Sequence, residues 1–359
     1  MKPQPVPAEK LAAQRRKRVR WFYLPVIAIP VIAFFVIGEV ATRTALRDHH
    51  SQIRNVSAEL GWETSANARL EYVHPAFGSI SYSTVRDGFR RYGNLHTGKT
   101  RILILGDSFT EAAQVSDGEG YFDYLDDTVR DVEIFAHGTG GYGSLQEYMM
   151  LTRHIDVIRP DVIVWQFSAN DLINNDNDLE TRNALSSRMV RPYYEDGRIE
   201  YRFGGANFLS QYSRLVKFVS VRVAMLRGDG SRTTNLDGER KNHPQSLERS
   251  VRTTGAIMQL VRQRAGEIPI VGFSTEVEPF ADSVYKSLAR SARWIYIEGV
   301  ADSIAAASAR GMVVDGLPRD GHWNRNGHAV AGRVIERYLM LNGLLRATST
   351  SAGELWSPF

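Results

Sequence analysis

Residues 101–115 read RILILGDSFTEAAQV. Ile102 to Leu105 form an unbroken apolar run that stops at Gly106-Asp107-Ser108. A short continuous run, rather than an alternating one, is how a strand buried on both faces of a parallel sheet reads. The serine that ends it has two readings: a cap for a following helix, or a nucleophile presented at the edge of a sheet.

Runs of the same kind recur at 132–136 (VEIFA), 161–167 (DVIVWQF), 268–273 (IPIVGF) and 312–315 (MVVD). Helical patterns separate them. SLQEYMMLTRHI (144–155) opens with Ser144 and Glu147 at capping-box spacing. SLERSVRTTGAIMQLVRQRAGE (246–267) sets Leu247, Val251, Met258 and Val261 on one face, and GVADSIAAASARG (299–311) ends at a glycine. NRNGHAVAGRVIERYLMLNGL (324–344) is expected to turn Val330, Val334, Tyr338 and Leu341 inward. Strand–helix alternation of this kind predicts a three-layer α/β/α, doubly wound parallel sheet over residues 99–345.

Residues 172–245 interrupt the alternation and read as an insert. RPYYEDGRIEYRF (191–203) predicts a hairpin turning at Asp196-Gly197, FLSQYSRLVKFVSVRVAML (208–226) an amphipathic helix, and residues 227–246 a polar loop. Residues 41–98 are a mixed connecting segment without a strong period, and 346–359 read as a tail.

The 359-residue chain carries a net +4 and no cysteine, which removes disulfides and thiolate chemistry. Its basicity is local. Residues 1–20 hold seven Lys/Arg and one acid, a balance of +6, so the remainder carries −2 and a nucleic-acid partner is not expected. This basic tail precedes WFYLPVIAIPVIAFFVIGEV (21–40), long enough as a helix to cross about 30 Å of hydrocarbon. Trp21, Phe22 and Tyr23 stand where an interfacial aromatic belt lies, and positive charge ahead of the span predicts a cytoplasmic N-terminus with the body exported. A cleaved signal peptide is the rival reading. It lacks a small-residue cleavage site, and Glu39, Arg43 and Arg47 crowd that position. A buried core helix fits poorly beside so many cations. Residues 21–40 are therefore read as a retained signal anchor and membrane partner.

Ligands of an open parallel sheet bind at the carboxyl ends of its strands. There the chain places Ser108, then HGTGGYGS (137–144), SANDL (168–172) and DGLPRDGHWN (315–324). A hydroxyl, bare backbone amides, a carboxamide and an Asp/His pair are the parts that acyl transfer at a serine requires.

With these four blocks the sequence resembles the SGNH/GDSL hydrolases, whose domain has a flavodoxin-like sheet. GDSFT aligns Ser108 with the family's nucleophile, GTGGYGS aligns Gly141 with the oxyanion glycine, SAND aligns Asn170 with the oxyanion asparagine, and DGHWN aligns His322 with the base. The chain departs from the pattern at three places. Ser168 replaces the usual glycine of the third block, Ala136-His137 the asparagine before the second, and Arg319 the acid three residues before the histidine. Asp320, two before it, is the expected orienter of His322, with Asp315 in reserve. The resemblance implies a serine esterase with Ser108, His322 and Asp320 catalytic and the Ser108 amide, Gly141 and Asn170 as oxyanion donors, without metal or cofactor.

Bland readings accompany each residue. Gly141 is also a plausible turn glycine, as Gly138, Gly140 and Gly143 are read to be. Asp171 is read as tying its loop down, and His328, inside the last helix, as structural. His137 and His154 have no partner at metal-ligand spacing. The leading functional expectation is an esterase outside the cytoplasm acting on an O-acylated envelope glycan or similar ester. The alternatives are an O-acyltransferase that modifies such a glycan through the same acyl-serine, and a non-catalytic anchored binding module.

Overall fold

The computed structural model describes residues 8–45, 53–74, 77–125, 131–182, 190–203, 213–226, 236–276, 279–315 and 321–345. Helix α1 (Ala8–Ala45) contains an apolar window, Pro25–Thr44, with mean hydropathy 2.1, long enough to cross a membrane. The window begins and ends four residues later than the 21–40 expected. Ile27, Phe34 and Ile37 are exposed on it. The side chains of Trp21 and Phe22 lie outside the described residues.

Two small hairpins follow, β1 (Arg54–Ser57) with β2 (Gly61–Thr64) and β3 (Arg69–His74) with β4 (Gly78–Ser83). The apolar runs then build the central sheet from β5 (Arg91–Tyr92), β6 (Thr100–Gly106), β7 (Val132–Gly138) and β8 (Val162–Phe167). Between these lie α2 (Ser108–Glu111) and α3 (Ser144–Ile158). After β8 come α4 (Ala169–Asn174) and α5 (Asn177–Arg182), the hairpin β9 (Val190–Glu195) with β10 (Arg198–Phe203), α6 (Arg214–Leu226), α7 (Leu236–Asn242) and α8 (Pro244–Ala265). The domain closes with β11 (Ile270–Ser274), α9 (Pro279–Ser291), β12 (Ile295–Ile297), α10 (Val300–Ala309) and α11 (Arg325–Leu341).

The spatial order is β12-β11-β8-β6-β7-β5, parallel except for the short edge strand β5. Without that edge this is the doubly wound order 2-1-3-4-5. The chain crosses over β6 between β7 and β8, so the switch point falls at the end of the strand that carries Ser108. The period-2 alternation of side chains makes the layers. Leu103, Leu105, Ile163 and Trp165 pack with α3, α8 and α9, while Ile102, Ile104, Val162 and Val164 pack with α10 and α11.

Several local expectations need correction. Residues 312–315 do not join the sheet; Asp315 makes an isolated bridge to Trp323. Met312 and Val313 are exposed, so this run lacks the two covered faces that a central strand needs. Its place is taken by β12, a three-residue strand too short to stand out as a run. The cap of α3 is Gly143, whose N–H donates to Gln146 Oε1 (3.2 Å), and Glu147 is buried instead of capping. In α11 Val330, Val334 and Tyr338 pack partly buried against the core as expected, but the centre of the inward face is Ala331, Ile335 and Leu339, and Leu341 is 75% exposed. The expected helix over 208–226 is described from Arg214 onward. Part of the expected polar loop is helix α7, and residues 227–235 lie outside the described residues. The hairpin turns at Asp196 and Gly197, both with positive φ (48° and 81°), as a two-residue turn requires.

Candidate active site

Ser108 begins α2 immediately beyond β6. It does not cap that helix. Asp107 does, its Oδ1 accepting the Phe109 N–H at 3.2 Å. Ser108 Oγ lies 2.8 Å from His322 Nε2. The two residues are 214 positions apart in sequence, and only the fold brings them together. The imidazole is packed by Phe109, with ring centroids 5.1 Å apart, and Phe109 in turn meets Trp323 at 4.7 Å. His322 stands in the loop before α11, whose N-cap Asn324 accepts from the Asn326 and Gly327 amides.

The turn needs glycine for close approach. A Cβ on Gly138 at the end of β7 would sit 2.1 Å from the Glu111 nitrogen and 2.6 Å from the Asp107 oxygen. Gly138 thus lets β7 press against the serine turn, a different role from the turn glycine expected there. The left-handed position in this loop is Gly141, with φ of 80°. Asn170, at the first turn of α4, donates from Nδ2 to Asp107 Oδ2 at 3.0 Å. Ser108, Gly141, Asn170 and His322 are all partly exposed, while Asp107, Phe109, Tyr142, Ala169, Asp171 and Trp323 beside them are buried. The sheet edge therefore presents these four candidates to solvent and hides their neighbours.

Asp320 lies outside the described residues. Asp315 is exposed, and its carbonyl accepts from Asn324 Nδ2 at 3.3 Å. His328 is buried and stacks flat on the Tyr121 ring, and its Nδ1 accepts the Tyr121 N–H at 3.2 Å. Burial, with the positive Arg90 beside it, pushes its pKa down to about 3, so it is a neutral structural acceptor. His137 is likewise pushed down to about 3 by burial, then by His154 and Arg153, and packs edge-on against Phe89.

Three supports were not read from the sequence. Gln166, the penultimate residue of β8, accepts from the Asp107 amide (3.0 Å) and Thr110 Oγ1 (3.0 Å) and donates to Ser168 Oγ (2.9 Å). A lone carboxamide inside a buried apolar strand was the available signal, because such a group must find partners. The connecting segment supplies the second support. Arg90 Nη1 donates to the Glu111 and Ala112 carbonyls (3.0 and 3.2 Å), Arg54 pairs with the buried Glu111 carboxylate (2.9 Å), and Trp62 Nε1 donates to the Gly140 carbonyl (3.2 Å).

The third support is Arg191 from β9. It donates to the Gly141 carbonyl and to Gln146 Oε1 (3.0 Å), pairs with Glu180 (3.2 Å), and lies over Trp62. Arg191 and Glu180 are each 1% exposed. Removing one partner of a buried pair strands the other charge. Arg191→Ala is therefore expected to cost about 3–5 kcal/mol by urea denaturation in detergent, with part regained when Glu180→Leu is added. Equal stability of wild type and Arg191→Ala would show the pair carries none of the load.

Beneath the site, Asp171 Oδ2 accepts the Ser168 N–H at 3.0 Å and ties the loop. Its carboxyl is pushed well above the usual range by burial and then by Asp107. Glu147 is pushed up as well, by burial and then by Asp171 and Asp107.

No family model matches the chain, and no curated protein matches it. Solved structures to which it is similar include lipases and esterases. One is the lipase/acylhydrolase from Enterococcus faecalis, 12% identical, with 69% of this chain and 98% of that chain covered at a TM-score of 0.40. A second is an α/β hydrolase enzyme from the metagenome of Lake Arreo, 12% identical, covering 71% and 100% at 0.40. A third is a catalytic mutant of an acetylxylan esterase from Geobacillus stearothermophilus, 12% identical, covering 68% and 95% at 0.38.

Proposed function

We propose that the protein is a membrane-anchored serine esterase that removes acyl groups, such as acetyl, from an O-acylated envelope glycan or similar ester outside the cytoplasm. The observation that carries the chemistry is the 2.8 Å approach of His322 Nε2 to Ser108 Oγ at the switch point of a doubly wound sheet. With the ring's proton on Nδ1, Nε2 accepts the Ser108 proton as Oγ attacks the ester carbonyl. His322 then returns that proton to the leaving alcohol, a service worth about 10²–10⁴ in rate. Asp320 holds the tautomer. The Ser108 and Gly141 amides and the second Nδ2–H of Asn170, whose first is given to Asp107, stabilise the oxyanion, each donor contributing about 10²–10³. Water then attacks the acyl-Ser108, releasing the acid. The location rests on the basic tail ahead of the Pro25–Thr44 span, and the glycan on that location and on the family resemblance.

The test incubates the full-length protein in detergent with a fluorophosphonate and maps the labelled peptide. It then supplies an activated acyl donor with and without envelope oligosaccharide. Label on Ser108 and free acid as the main product at millimolar acceptor are expected. Acylated sugar as the main product would make the protein a transferase, because an ordered acceptor hydroxyl has then outcompeted water.

A further inference from the structure

Glu39, near the C-terminal end of the apolar span, is bonded to the insert. Its carboxylate accepts Ser213 Oγ (2.7 Å) and the backbone amides of Arg214 (3.1 Å) and Leu215 (3.0 Å), the first residues of α6. The carboxylate therefore caps α6 across 174–176 positions of sequence. Gly38 meets Leu215 so closely that an added Cβ would lie 2.7 Å from Leu215 Cδ2. The first turn of α6 is thus fixed against the last two turns of the apolar window of α1.

From Leu215 the pattern i, i+3, i+4, i+7, i+8 continues through Phe218, Val219, Arg222 and Val223, a single helical face. Leu215 spends its side chain on α1, but Phe218, Val219 and Val223 are exposed at 36%, 48% and 38%. The Arg222 guanidinium lies over the Phe218 ring, 5.2 Å from its centroid. Residues 214–226 contain Arg214, Lys217 and Arg222 and no acidic residue.

We infer that α6 is an interfacial helix: its Phe218/Val219/Val223 face seats in the bilayer surface at the leaflet where α1 emerges, and Arg222 on that face reaches up to anionic phospholipid headgroups. The inference rests on reading α1 as a membrane anchor. Two further facts select a lipid surface as the occupant. The exposed face is continuous with the residue that packs on the membrane-crossing helix, so the bilayer already lies within reach of it. A purely cationic amphipathic helix is complementary to anionic lipid, with arginine stems able to run along the apolar face and keep the charge among headgroups. The seat sits at the start of the C-terminal half of the insert and fixes the body close to the membrane.

The absence of cysteine makes the test direct. Single-cysteine variants of the full-length chain at Val219, Val223, Ile32 and Val313 carry an environment-sensitive fluorophore. Each is reconstituted into phosphatidylcholine–phosphatidylglycerol vesicles, with or without lipids spin-labelled at shallow or deep positions. The Val219 and Val223 labels should shift to the blue, lose more than about half their emission to the shallow quencher, and shift back when phosphatidylglycerol is left out. The Ile32 label should be quenched by the deep probe and the Val313 label by neither. Quenching at Ile32 without quenching at Val219 and Val223 overturns the inference and leaves the anchor standing. Absence of quenching at Ile32 overturns the anchor, and the inference with it. Blue-shifted, unquenched Val219 and Val223 labels with disulfide cross-linking between two unlabelled Val219→Cys chains would assign the face to a second copy instead.

Discussion

Ser108→Ala is expected to abolish fluorophosphonate labelling and to lower hydrolysis of p-nitrophenyl acetate by roughly 10⁴–10⁶-fold. The expectation follows from placement. Ser108 is partly exposed at the end of β6, and its Oγ faces a histidine at 2.8 Å. The fold should survive, because the capping of α2 belongs to Asp107 and the turn is held by Gln166, Arg90 and Arg54. The variant's thermal unfolding should therefore match the wild type. Near wild-type turnover, or label transferred undiminished to another serine, would remove the centre of the esterase reading.

The second large effect separates two histidines six residues apart. His322→Ala should lose several orders of magnitude in kcat while folding normally, since the lost ring is partly exposed. His328→Ala should retain the chemistry and lose stability. It opens a gap beside Tyr121 and leaves the buried Tyr121 N–H without its acceptor, a penalty of about 1–3 kcal/mol. A profile of kcat and melting temperature for both variants decides the matter, and equal kcat losses would sink the assignment of His322. Asp320→Asn should cost more than Asp315→Asn, whose carboxylate sits on an exposed residue bridged through its backbone to Trp323. The reverse ranking would move the orienting role to Asp315.

Part of this architecture was legible because it is written in local physics. Continuous apolar runs such as Ile102–Leu105 need cover on both faces, which is sufficient to argue a parallel sheet between helices. Asp196-Gly197 needs left-handed backbone, so the hairpin could be read from two residues. The run 312–315 shows where that reasoning fails. Its composition is that of a strand, yet Met312 and Val313 face solvent, and the three residues of β12 do the pairing instead. Burial is decided by what lies across from a segment, and no local window contains that information.

The candidate site divides in the same way. The residue types and their strand-end positions were in the sequence, since a sheet's carboxyl edge is a consequence of chain direction. The choice of His322 over His328 could be read from its place in a strand-end loop, but its approach to Ser108 across 214 residues is set by how α11 packs on the sheet. The supports were hidden more deeply. Arg191 reads as one more cation in a polar hairpin, and Arg54 and Arg90 lie in a segment without periodicity. At the site they serve the Gly141 carbonyl, the Glu111 carboxylate and the Glu111 and Ala112 carbonyls. Backbone carbonyls carry no sequence signature, so an arginine that serves them looks like any solvated charge. Chain chemistry by itself determined the apolar span, the sheet, and the serine, glycine, asparagine and histidine at its edge. Only tertiary packing decided which of those groups meet, because a contact between remote residues is a property of the folded core and not of either neighbourhood.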